Sequence, residues 1–167
     1  NAMAMDIDTM DVIDPYGGIR DLRAHVLRAT SDAFAEDPIR VLRTARFAAR
    51  YGYTIDPATV EMMHHVVPEI DAVPAERVYA EFEKGLMEAH PYKMYDALRS
   101  CGAERSVRVA PFLKMWLKSV WHRMPPSIGV EIRMAMACNF FSEDQLRDAC
   151  VPRSIAKLAL LASSVLD

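Results

Sequence analysis

The stretch DAFAEDPIRVLRTARFAARYGY, residues 32–53, decides how the rest of the chain is read. Arg40, Arg43, Arg46 and Arg50 follow one another at intervals of three, three and four residues, while Val41, Leu42, Ala45 and Ala49 recur between them. That spacing predicts a helix from about Ser31 to Tyr51 with a cationic side and an apolar side. Ser31 or Asp32 would cap it, and Gly52 would end it in a left-handed turn. Pro38 breaks the pattern, because a proline lacks a backbone donor and clashes one turn back. It either kinks the helix or opens a second one at its first turn with Asp37 as N-cap. The ridge of Asp37, Arg40, Arg43 and Arg46, with Glu36 four residues before Arg40, reads most simply as a solvated, ion-paired face.

Helical signals extend outward in both directions. Upstream, DPYGGIRDL holds adjacent glycines at Gly17 and Gly18, which favour a tight turn and predict a hinge that leaves the next short helix loosely tethered. HVLRAT, His25 to Thr30, is the one segment that reads as extended. Downstream, Asp56-Pro57 opens a helix with Val60, Met63 and Val67 on its apolar stripe. VPAERVYAEFEKGLMEAH places Val78, Phe82 and Leu86 on one face, and PYKMYDALRSCG buries Met94, Leu98 and Cys101 before Gly102. Four more helix-sized segments follow: PFLKMWLKSVWHRM, IGVEIRMAMACNF, SEDQLRDACV and SIAKLALLASSVL. The expected fold is all-α, a multi-helix array with at most one short extended segment near the N-terminus. No fixed repeat supports a solenoid.

Bulk properties bound the function. A chain of 167 residues with 51% apolar content can bury a core, and 20 basic against 23 acidic residues give a net charge of -3. Any nucleic-acid contact is therefore local rather than a property of the whole surface. Cys101, Cys138 and Cys150 are widely spaced and odd in number, which argues against a disulfide framework or a zinc site and for a reduced, cytoplasmic setting. No apolar run is long enough to span a membrane, and the acidic start does not read as a secretory signal. Asn1-Ala2 before Met3 has the form of a cleaved-tag remnant.

What raises residues 36–46 above decoration is the chemistry of Asp37 and Arg40. A carboxylate beside a guanidinium presents an acceptor next to a donor, the complement of a base edge with an amino donor beside an unprotonated ring nitrogen. Cytosine and adenine have that edge; guanine and uracil present a carbonyl and a ring N–H instead. An unpaired group costs about 1–3 kcal/mol, roughly tenfold or more in selectivity per mismatch. Arg43 and Arg46, further along the helix, are suited to phosphates.

EDPIRVLRTARFAARYGY resembles the E-D-x-x-R nucleotide-selecting motif of class II tRNA nucleotidyltransferases (CCA-adding enzymes) and bacterial poly(A) polymerases. DPYGGIRDLRAHVLR, Asp14 to Arg28, resembles that family's connector from catalytic head to neck. PAERVYAEFEKGL, Pro74 to Leu86, resembles the neck helix that buttresses the selecting helix. The likeness covers about Asp14 to Gly102. It implies a connector over residues 1–30, neck helices over 31–103 and the start of a helical body over 104–167.

By that resemblance Asp37 and Arg40 pair with the base edge of incoming CTP or ATP, and Glu36 orients Arg40. Arg43 and Arg46 lie near the triphosphate or ribose, and Arg77 and Glu81 act as struts. The implied reaction adds CMP and AMP to the 3′ end of tRNA or another RNA, with the protein helix in place of a template. It needs Mg2+, held by paired carboxylates in an α/β head that the family places before the connector. Without that head the chain is expected to be silent alone, and an apolar surface around the neck would favour self-association. The alternative is a non-catalytic helical module that binds RNA or protein and keeps the motif as a structural ion network.

Three further features carry bland readings. Asp6, Asp8, Asp11 and Asp14 in DIDTMDVID read as a solvated acidic turn rather than a metal site. His64 and His65 point to different helix faces and read as a packing and surface pair. KMWLKSVWHRM, with Trp116, Trp121, Lys114, Lys118, His122 and Arg123, has the composition of an RNA grip, but Trp and Met at that spacing read first as core.

Overall fold

The computed structural model describes residues 3–104, 128–138 and 141–166. The KMWLKSVWHRM segment lies outside the described residues. The chain begins with a small antiparallel hairpin of β1 (Ala4–Met5) and β2 (Val12–Ile13), paired Ala4 to Ile13 and Met5 to Val12. Asp6 shapes its turn by accepting from the N–H groups of Asp8 and Thr9 at 2.9 and 3.1 Å. The next acid, Asp14, accepts from the N–H groups of Gly18 and Ile19 at 2.6 and 2.9 Å and so caps α1 (Gly18–Arg23). Backbone donation, from Ile19 above all, holds the Asp14 carboxyl below the ordinary range. The acidic run is thus turn and cap chemistry.

A parallel pair, β3 (Val26–Leu27) and β4 (Thr54–Ile55), brackets the centre of the fold. The extended segment expected at His25–Thr30 is β3. Its partner at Thr54 and the N-terminal hairpin are additional two-residue strands in an otherwise helical chain. Between β3 and β4 lie a 3-10 turn at Asp32–Glu36 and α2 (Ile39–Tyr51). The single helix expected from Ser31 to Tyr51 is therefore divided, and Pro38 is the reason. The residue before a proline is pushed out of the helical region, and Asp37 has φ -135° and ψ 106°. Gly52 closes α2 at φ +70°, with its N–H on the Ala48 carbonyl at 2.9 Å.

Two helices pack on α2, and the helix after β4 packs on the two 3-10 turns. α3 (Pro57–Val66) starts with Pro57 in its first turn and Asp56 as cap, the carboxylate accepting from Thr59 N–H at 3.3 Å. Its buried stripe is Met63 and Val66, because Val67 already belongs to a 3-10 turn at Val67–Ala72 that contains Pro68. α4 (Ala75–Leu86) and α5 (Pro91–Ser100) flank α2 directly. Val41, Leu42, Ala45 and Ala49 of α2 are fully buried, so small alanines let the flanking helices approach closely. At the α4–α5 contact a Cβ on Gly85 would overlap Met94 Sδ, so any larger residue there requires the Met94 side chain to move.

α6 (Val130–Cys138), α7 (Glu143–Asp148) and α8 (Arg153–Leu166) complete the described array. α7 opens with a capping box in which Ser142 Oγ accepts from Gln145 N–H and the Gln145 side chain accepts from Ser142 N–H. α6 joins the core through Met134, Ala135 and Cys138 and packs on α4 and α8. No helix among the described residues is long and apolar enough to cross a membrane.

Exposed large apolar side chains are densest on the hairpin and around α1, at Met3, Met5, Ile7, Met10, Val12, Ile13, Tyr16 and Leu22, while the neck helices expose Tyr51 and Met87. A two-stranded ladder has no second layer to cover it. Against the expectation from Gly17 and Gly18, α1 is not loosely tethered. Arg28 donates to Asp21 of α1 at 2.8 Å and to Asp56 at the head of α3 at 2.6 Å, which anchors the region after Gly18 to the helical array.

Candidate functional site

The start of α2 gathers the charged residues singled out above. Asp37 is extended because Pro38 follows it, and its Oδ1 accepts from Ile39 N–H at 3.2 Å. The other oxygen, Oδ2, faces Arg77 Nη2 of α4 at 3.4 Å. Both side chains stay open to solvent, 38% exposed for Asp37 and 55% for Arg77. Such a carboxylate is oriented by a backbone donor and a cation yet remains accessible to a ligand.

Arg40 sits one turn along, its N–H on the Asp37 carbonyl at 3.0 Å. Its guanidinium donates through Nη1 to the Ala33 carbonyl of the 3-10 turn. The turn that Pro38 creates therefore positions Arg40, and the remaining guanidinium N–H groups are available in a fixed plane. Glu36 does not pair with Arg40. The expected i,i+4 pair requires one continuous helix, and the break at Asp37 removes that register.

Arg43 is exposed, with no carboxylate in bridging range among the described residues. Arg46 differs sharply. Its Nε donates to Glu81 Oε2 at 2.8 Å, its Nη1 lies 3.8 Å from Glu88 Oε1, and all three side chains are at most 20% exposed. Glu81 also bridges to Lys84 at 3.5 Å. The structure thus brings Arg77 to Asp37 and Glu81 to Arg46 as two separate links between α4 and α2. Removing one member of the Arg46 cluster would leave a poorly hydrated charge, at a cost on the order of 3 kcal/mol. Glu88 is the residue that sequence reasoning missed. Its place seven residues after Glu81 puts both on one side of α4 and its C-terminal turn, and that spacing was the available signal.

The remaining candidates settle simply. His64 meets the Cys101 carbonyl at 2.9 Å and so closes the end of α5. Burial pushes the Cys138 thiol up to about 12 and raises that of Cys101 as well, so neither is an activated nucleophile. No group of three His, Cys, Asp or Glu among the described residues is arranged to hold a metal ion. Since Asp6 and Asp14 are committed to backbone N–H groups, the described residues do not fit a Mg2+ site.

Residues 52–107 match the family model described as "Probable RNA and SrmB- binding site of polymerase A". The multifunctional CCA protein of Neisseria meningitidis serogroup C is 58% identical over 105 residues, which is 62% of this chain and 25% of that protein. That of Cupriavidus metallidurans is 54% identical over 111 residues, 62% of this chain and 27% of its own length. Among solved structures, the Bacillus stearothermophilus CCA-adding enzyme in complex with CTP superposes with a TM-score of 0.83 at 25% identity, over 99% of this chain and 44% of the other. These likenesses support reading the chain as a fragment of the CCA-adding enzyme and poly(A) polymerase family. The chain spans about a quarter of the length of the curated relatives it matches. The Thermotoga maritima CCA-adding enzyme complexed with tRNA shares the fold at a TM-score of 0.74 and 20% identity, over 98% of this chain and 45% of that one. The helical array described above thus matches a helical part of the fold of these enzymes.

Proposed function

We propose that this chain forms the nucleotide-selecting surface and part of the RNA-binding surface of an enzyme that adds CMP and AMP to RNA 3′ ends, with completion of tRNA 3′-CCA as the reaction. Asp37 accepts from the exocyclic amine of cytosine or adenine, and Arg40 donates to the adjacent ring nitrogen. Guanine and uracil set donor against donor and acceptor against acceptor, which a desolvated site rejects. Arg43 reaches toward the triphosphate of CTP or ATP. The role of Arg46 is revised: held by Glu81 and Glu88, it fixes the angle of α2 against α4 instead of contacting nucleotide. Arg77 steadies Asp37. In this reading residues 1–30 connect to a metal-bearing catalytic head, 31–103 form the neck and 104–167 begin the body, in a reducing cytoplasm.

The observation that supports this reading is an oriented, accessible carboxylate at Asp37 and, three residues along the same helix start, a guanidinium at Arg40 held by the Ala33 carbonyl. The Arg46 cluster favours a second reading, in which a non-catalytic module keeps the motif as an ion network. One experiment separates them. The chain is assayed with its catalytic head and a tRNA lacking CCA, each nucleoside triphosphate being supplied singly. CMP incorporation with GTP and UTP rejected is expected, and Asp37→Ala should reduce that discrimination about tenfold or more. Unaltered base preference in Asp37→Ala overturns the selecting role.

A further inference from the structure

A second feature of α2 lies further along the helix than the Asp37–Arg40 pair. Arg43, Phe47, Arg50 and Tyr51 fall at i, i+4, i+7 and i+8 and share one face of the helix. From there a row of rings runs off the helix end. Phe47 and Tyr51 have centroids 6.1 Å apart, Tyr51 and Tyr53 5.5 Å, and Tyr53 and His25 4.9 Å. Arg50 lies 5.6 Å from the Tyr51 ring centre and Arg46 4.9 Å from that of Phe47.

The row is built rather than frayed. His25 adopts φ +57°, a conformation in which its carbonyl accepts from Thr54 N–H at 3.0 Å, so the β3–β4 ladder sets the ring beside Tyr53. It is also open. Tyr51 is 51% exposed, His25 and Arg50 are exposed, and Phe47 and Tyr53 are half-buried. A ring row whose purpose was packing would be covered.

Charge identifies the occupant. Arg28, Arg46 and Arg77 each have a carboxylate within 4 Å, whereas Arg43 and Arg50 have none among the described residues. A partner that satisfies rings and unneutralised guanidinium groups together must offer flat faces and anions at short intervals. Bases and phosphates of a single strand do so; a duplex hides its base faces within the stack. We propose that His25, Tyr53, Tyr51 and Arg50 form a stacking site for single-stranded RNA, separate from the Asp37–Arg40 pair. The site takes from the proposed function only that the strand is RNA.

The test is fluorescence anisotropy of the full chain with an unstructured, labelled oligoribonucleotide and no nucleoside triphosphate. Tyr51→Ala is expected to weaken binding roughly five- to hundredfold, the value of one stacked base, while Tyr51→Phe keeps it. Arg50→Ala should reduce the slope of log affinity against log salt by about 0.7. Because these side chains are exposed, circular dichroism should register an unchanged fold. Asp37→Ala should leave this affinity intact, so a failed base-selection assay and a failed stacking site are told apart. The proposal is overturned by no binding in the wild-type chain, by wild-type affinity in both Tyr51→Ala and Arg50→Ala, or by loss in Tyr51→Phe equal to that in Tyr51→Ala. Sedimentation in which Tyr51→Ala abolishes self-association in place of RNA binding also overturns it, in favour of a protein contact.

Discussion

Asp37 answers to three neighbours at once: Pro38 sets its backbone, Ile39 N–H holds one carboxylate oxygen and Arg77 holds the other. Arg77 is the least constrained of these, and an exposed ion pair of this kind contributes about 0.2–1 kcal/mol. Under the proposed function Arg77→Met should therefore reduce the preference for CTP over UTP about two- to fivefold, a milder effect than Asp37→Ala. The ratio of kcat/KM values for the two nucleotides measures it. A loss as large as that of Asp37→Ala would mean that Arg77 touches the nucleotide itself. The role proposed for Asp37 could be framed from sequence because the chemistry of a base edge is local to two side chains. The Arg77 contact spans forty positions along the chain, and only the packing of α4 on α2 creates it.

Helix boundaries were legible wherever a single residue imposes them. Pro57 after Asp56 opens α3, Pro91 opens α5, and Gly52 and Gly102, at φ +70° and +80°, close α2 and α5. What single residues could not convey was pairing across distance. β4 supplies the partner of β3 from the far side of α2, and Arg46 finds Glu81 on another helix. Nor does a local pattern decide whether a proline kinks a helix or divides it. Gly85 illustrates the same limit, since a glycine in the last turn of a helix reads as a stop signal until Met94 is seen against it. Gly85→Ala gains about 1 kcal/mol in helix propensity but forces a buried methionine aside, which costs about 1–3 kcal/mol. Because Met94 is buried and must shift, the cost should prevail, and a net loss of up to about 2 kcal/mol is expected in chemical denaturation. An unchanged or raised midpoint would contradict the close approach of α4 and α5.

At the scale of the molecule, the question is which parts move together. Arg28 donates by Nε and Nη2 to the two oxygens of Asp21 and by Nη1 to Asp56, so α1, β3 and the start of α3 share one cation. Ala29 N–H on Thr59 Oγ1 at 2.9 Å and Asp56 N–H on the Leu27 carbonyl at 2.9 Å run alongside it. The freedom that Gly17 and Gly18 suggest is therefore confined to the hairpin side of α1. Asp14 limits even that by capping α1 from across the glycines. Replacing Arg28 with Met removes three charge-assisted hydrogen bonds, leaving Asp56 without its cation and Asp21 with only Arg20 at 3.7 Å, while the core around α2 loses no contact. Native-state hydrogen exchange should then show lower protection over residues 18–29, with residues 39–51 unchanged. Arg28→Lys should fall between, because an ammonium cannot engage both Asp21 oxygens and Asp56 in the same fork. Equal loss across both segments would mean that Arg28 supports the whole fold; no loss in either would mean that the β3–β4 ladder alone fixes α1, and that the head-to-neck geometry proposed for the family does not depend on this ion pair.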